Sequence, residues 1–190
     1  FSSDTFTDGS SYVICVKATD AAGNESKYSL GVSSTYTVDK TKPTLSGDSV
    51  GGSVYDTTAN SKNWFKETKL AVSGTWTDVV GTSEDAGSGV KTLYYQLNGT
   101  GTTALDTSNY ASAGTAIAVT DNAYDTNIGT FATGENTLRY LAVDYVSNVS
   151  DVYERTIWVD RTAPVIAETS SSDTSTHTSF SSTTPMGKAN

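Results

Sequence analysis

The stretch Tyr153-Glu-Arg-Thr-Ile-Trp-Val-Asp160-Arg-Thr-Ala-Pro164-Val-Ile166 decides how the chain is read, because residues 36–45 nearly say it already: Tyr36-Thr-Val-Asp39-Lys-Thr-Lys-Pro43-Thr-Leu45. Both contain Val-Asp-Lys/Arg-Thr-x-Pro, with Asp39 answering Asp160. A second shared phrase lies upstream of each: Ala18-Thr-Asp20-Ala-Ala-Gly-Asn24-Glu-Ser26 against Ala142-Val-Asp144-Tyr-Val-Ser-Asn148-Val-Ser150. A repeated unit with a repeated junction points to tandem architecture before any site is considered.

Working outward, the segments around the junctions alternate. Tyr12, Ile14, Val16 and Ala18 share one phase, Leu70, Val72, Gly74 and Trp76 another, and Leu93, Tyr95 and Leu97 a third. Period-2 alternation is the mark of strands with one buried face. Strands are expected at 12–19, 28–38, 44–50, 69–78, 90–97, 137–144 and 152–160, with shorter ones at 116–120 and 128–131. Residues 100–135 read largely as an insertion. No segment keeps a helical period, so the fold class is all-β. The expected organisation is residues 1–39 as the last strands of an upstream unit, 40–160 as one complete unit, and 161–190 as the start of a following unit. Pro43 and Pro164 stiffen the two passages. The Ser/Thr-rich stretch 168–184 is too polar to bury a core.

Composition narrows the function. Only 17% of the 190 residues are charged, and the net charge is −9, so no basic stripe exists to neutralise nucleic-acid phosphates. No apolar run approaches the roughly 20 residues of a membrane-spanning helix. Cys15 is the only cysteine, which excludes a disulfide within the chain and reads as a small apolar strand residue. His177 is the only histidine and sits in the polar tail, so a Ser–His–Asp triad would have no base within the folded units. Glu84-Asp85 lies in a Gly/Ser loop with no apolar run to perturb a carboxyl. The chain is expected not to be an enzyme.

At this point several phrases carry a resemblance: Asn63-Trp64-Phe65; Asp85-Ala-Gly-Ser88-Gly89-Val90-Lys-Thr-Leu-Tyr94-Tyr95-Gln-Leu-Asn98-Gly99; Ala142-Val-Asp144 with Asn148; and Val159-Asp160-Arg-Thr162-Ala163-Pro164. Together they resemble the bacterial immunoglobulin-like repeats of large surface and secreted proteins, akin to fibronectin III and cadherin-like domains. The resemblance implies immunoglobulin-like antiparallel β-sandwich repeats, one complete unit flanked by partial ones, in an extracellular or cell-surface spacer supporting adhesion. It also implies that the chain is a fragment, whose partners are neighbouring repeats and a host or surface protein or glycan. The alternative is a carbohydrate- or protein-binding accessory module of a secreted hydrolase, with Tyr94 and Trp158 as an aromatic contact face.

Calcium is the one cofactor the residues suggest. Ca²⁺ takes roughly six to eight oxygens from carboxylates, amides and carbonyls, and the candidates are Asp39, Asp160, Asp20, Asp144, Asn24, Asn148 and Asp85. The competing reading is that Asp and Asn simply end strands by bonding to nearby backbone N–H groups. Two substitutions distinguish the copies. Asn136 stands where Tyr12 stands, and Tyr145-Val-Ser147 replaces Ala-Ala-Gly23, which removes the residue best suited to a positive φ.

Overall fold

The computed structural model describes residues 5–28, 34–51, 55–57, 62–81 and 86–165. A small strand pair and a much larger nine-stranded body make up the described residues. β1 (Ser11–Tyr12) pairs with β2 (Tyr36–Thr37), forming a small antiparallel arm. The main body uses β3 (Thr44–Gly51), β4 (Tyr55–Thr57), β5 (Lys62–Phe65), β6 (Lys69–Thr77), β7 (Val90–Leu97), β8 (Thr115–Ala118), β9 (Ala123–Gly129), β10 (Gly134–Asp144) and β11 (Tyr153–Val159). They form a three-stranded sheet, β3-β6-β9, and a six-stranded sheet, β4-β5-β11-β10-β7-β8. Their apolar faces meet in a sandwich-like, all-β body. Pairing is antiparallel except between β11 and β5, which run parallel through Trp158↔Trp64 and Val159↔Phe65.

The alternation fixes which side chains meet. Leu70, Val72 and Trp76 from β6, with Tyr124 and Ile128 from β9, face Leu93, Leu138, Tyr140, Ala142, Ile157 and Val159 of the larger sheet. Trp76 packs edge-on against Tyr153 and Tyr140, at ring-centre distances of 5.3 and 6.5 Å. On β3 a charge points inward: Asp48 accepts from the Tyr140 hydroxyl at 2.5 Å and pairs with Arg155 at 2.7 Å. An inward charge on an outer strand discourages further strands from adding there.

Three expectations need correction. First, residues 13–18 make no strand ladder, and Val13, Ile14 and Val16 are exposed. Alternation gives a face, but a strand exists only where a partner completes its hydrogen bonds. Of the expected strand at 28–38, residues 29–33 lie outside the described residues; among the rest only Tyr36–Thr37 pairs, and Tyr36 is exposed. Second, of the two short strands expected at 116–120 and 128–131, the first is present as β8, whereas β9 begins earlier, at Ala123, and completes the smaller sheet through register pairs from Lys69↔Gly129 to Thr75↔Ala123. Third, a four-residue helix, α1 (Tyr110–Ala113), is present.

Residues 99–114 lie between β7 and β8 outside both sheets, and they have a task. They fold over the outer face of β7 and β10, where Leu105 plugs against Leu141 and Val143, flanked by Tyr94 and Tyr110. Gln96 pins the cover with its amide: Nε2 donates to the carbonyls of Thr103 and Ala113, and Oε1 accepts from Leu105 N–H. Leu105→Ala should therefore cost about 2–4 kcal/mol and speed amide exchange in 99–114 more than in β10. Urea unfolding read beside hydrogen exchange checks this; uniform loosening of both sheets would contradict it.

The two departures between copies also resolve. Tyr12 Oη accepts from Thr7 N–H at 2.8 Å. Asn136, fully buried, holds its own upstream loop with both amide atoms, accepting from Ala132 N–H and donating to Ala132 O. Ser147 takes a φ of 77°, close to the 87° of Gly23, so the turn shape survives the lost glycine.

Candidate metal centre

Asp78 extends the inward phase of β6 by one step beyond Trp76, and Asp144 does the same beyond Ala142 in β10. Both are buried, at 5% and 0% exposure. The strand ends bring them to one pole of the body, where the connection from the arm delivers Asp39. Carboxylate oxygens of Asp39, Asp78 and Asp144 lie within 4.8 Å of one another.

Backbone donors hold each carboxylate in place. Asp39 Oδ2 accepts from Ser88 N–H at 2.7 Å, and Asp78 Oδ2 from Gly89 N–H at 2.6 Å. Asp144 Oδ1 accepts from the N–H groups of Val146 and Asn148. Gly87 is required here, since a Cβ would sit 2.8 Å from Asp78 Cγ. Asn148 Nδ2 donates to Asp144 Oδ2 at 2.7 Å and reaches the Asp39 carbonyl at 3.2 Å. In this cluster two buried polar atoms make no hydrogen bond, Asp78 Oδ1 and Ser88 Oγ.

Three negative charges so close repel strongly. At 4.8 Å and an effective dielectric of 20, each pair costs about 3.5 kcal/mol. Asp78 carries the consequence: burial first, then the charges of Asp39 and Asp144, push its pKa up to about 6 against the opposing Gly89 N–H. Nearby Ser88 draws it down a little without completing a hydrogen bond. A buried, unpartnered carboxylate oxygen among like charges is the arrangement a hard cation relieves.

The other candidates lie elsewhere or serve turns. Asp20 and Asn24 are exposed and reproduce the Asp144–Asn148 turn: Asp20 Oδ1 accepts from Ala22 and Asn24 N–H, and Oδ2 from Asn24 Nδ2. Asp160 is exposed and caps Thr162 N–H at 2.8 Å. Neither group joins the cluster. Glu84, Asp85, His177 and the stretch 168–184 lie outside the described residues. Asp78 was the residue that sequence reading missed, although an aspartate continuing the buried phase of an apolar strand was a usable signal.

Neither residue of the expected aromatic face is free. Tyr94 packs against Tyr110 at 5.0 Å beneath the 99–114 cover, and Trp158 packs against Trp64 at 5.5 Å. Cross-strand and cover packing engages both outward rings.

The pole is also where the arm docks. Asp8 accepts from Lys40 N–H, Thr41 Oγ1 and Gly81 N–H, linking arm, connection and body. Lys42 pairs with Asp151 at 2.6 Å, and Leu45 N–H donates to Tyr153 Oη. The chain is thus an all-β, sandwich-like protein with an acidic cluster at the junction between arm and body. No family model matches it, and a search of curated proteins finds no match. Among the described residues, no helix is long and apolar enough to cross a membrane.

Proposed function

We propose that this chain is a non-catalytic spacer built of immunoglobulin-like units from an extracellular or cell-surface protein, and that a calcium ion at Asp39, Asp78 and Asp144 sets the angle between successive units. The observation that carries the reading is the meeting of a connecting-segment carboxylate with two buried strand-end carboxylates, one holding an unpartnered oxygen. In this reading residues 1–39 close an upstream unit, 40–160 form the complete one, and Asp160 stands ready as the connecting carboxylate of the next. Neighbouring units are the first partners, and adhesion to a host or surface protein or glycan is the use the spacer serves.

The ion would neutralise charges that otherwise repel across the junction, so its effect belongs to stability and stiffness. At free calcium one hundred times the dissociation constant, binding adds about 2.7 kcal/mol. Calorimetric melting of the chain should therefore rise by several degrees in calcium relative to chelator, and Asp39→Ala should remove most of that rise. An identical melt in both solutions, or a full rise retained by Asp39→Ala, would sink the reading.

A further inference from the structure

We infer that Asn148 is the ion-responsive part of this junction: its amide nitrogen bridges the carboxylates when no cation is present, and its oxygen replaces the nitrogen when one enters. The inference rests on the calcium reading of the cluster and adds to it a mechanism of exchange. That the cluster is a site at all rests on Asp78, which is 95% buried by its 5% exposure and keeps Oδ1 without a partner among the three carboxylates.

The orientation of the amide follows from its neighbours. Nδ2 lies 2.7 Å from Asp144 Oδ2, 3.2 Å from Asp39 O and 3.4 Å from Asp39 Oδ1. All three are carboxylate or carbonyl oxygens that accept, so the donating end of the amide faces them. Its N–H groups place positive charge among the oxygens, doing weakly what a divalent cation would do strongly. The two cannot coexist, because N–H hydrogens aimed at a cation are repelled by it.

Exchange needs no backbone change. Asp144 Oδ1 holds the 144–148 turn through the main-chain N–H groups of Val146 and Asn148, leaving the side-chain amide free to rotate about its last torsion. That torsion is broad and roughly two-fold. Turned over, Asn148 offers Oδ1 beside the Asp39 carbonyl. With one oxygen from each of the three carboxylates, the protein then supplies five oxygens, and water completes the six to eight that calcium takes. The amide therefore keeps the arm docked without the ion, and the ion gains a neutral ligand on arrival.

The test follows the Asn148 side-chain NH₂ signals by ¹⁵N-edited NMR while calcium chloride is added, with calorimetric titration of the parent chain, Asn148→Ala and Asn148→Asp. The NH₂ pair should shift in step with binding. Asn148→Ala should bind calcium about tenfold more weakly; Asn148→Asp should bind more tightly and melt lower in chelator. Both variants keep the backbone donors of the turn, and far-UV circular dichroism confirms folding. Calcium binding by the parent with unmoved NH₂ signals and unchanged variant affinities overturns the exchange alone. No heat from the parent at all overturns the calcium reading, and the exchange with it.

Discussion

In chelator at neutral pH, Asp78→Asn should melt above the parent chain, and it should no longer respond to calcium. The amide retains an oxygen for the Gly89 N–H while removing a buried charge from beside Asp39 and Asp144. Relief of a group whose pKa stands at about 6 instead of 3.8 is worth on the order of 2–3 kcal/mol. The sign in pH follows. The folded chain holds a proton on Asp78 between about pH 4 and 6, where the unfolded chain has lost it. Stability in chelator therefore falls as pH rises through that window and levels above it. Asp8, Asp20 and Asp106 have lowered pKa values through hydrogen bonds to their carboxylates. Their contribution is present above about 3.8 and lost on further acidification, so it lies on the other side of the window. Asp78→Asn should flatten the fall between pH 4 and 6. A variant less stable than the parent at pH 7.5, still gaining from calcium, would refute both the strain and the site.

The second large effect belongs to the core. Gly74→Ala should destabilise the chain by about 3 kcal/mol or more, read from urea midpoints. Tyr124 lies across Gly74 in the β6–β9 register, and Asp48 lies across it on the other side. A Cβ at Gly74 would stand 2.7 Å from Tyr124 Cε1 and 2.9 Å from the Gly47 carbonyl. One neighbour is a buried ring and the other is backbone, so neither can give way cheaply. Gly47→Ala is the matched control, since its Cβ would meet only Thr75 Oγ1 at 3.7 Å. Equal midpoints for the two variants would mean that Tyr124 can leave its place over the glycine.

Much of the body was legible because buried faces impose a strict alternation. The strands at 69–77, 90–97 and 153–159 match the expected ones nearly to the residue, and Leu93 and Trp76 face the core as expected. What misled was alternation without a partner. Tyr12–Thr19 carries the same pattern as β10, yet among the described residues it forms a ladder only at Tyr12 and an isolated bridge at Thr19, because pairing depends on distant chain that a local pattern does not encode. Of β9 only the end overlaps the strand expected at 128–131, for the opposite reason: Tyr124-Asp-Thr-Asn-Ile128 is mostly polar, and its place depends on β6 beside it. At the metal centre, Asp39, Asp144 and Asn148 were named from the repeat and do converge. Asp78 belongs to no repeated phrase and emerged only when strand ends met at one pole. Asp20 and Asp160 share the phrases but lack the neighbours, so local shape was legible while convergence was not.

The position of β11 has a mechanical meaning. It lies inside the larger sheet, bonded to β10 along seven antiparallel register pairs and to β5 in parallel, with Asp160 N–H extending the second seam to Phe65 O. Tension applied to the chain beyond Asp160 would run along this strand and load both seams side by side, in shear. Bonds loaded together must fail together, whereas a strand peeled from an edge loses them singly. Resistance to pulling is thus written into where the last strand sits, and forced unfolding is governed by that barrier rather than by the equilibrium stability of the core.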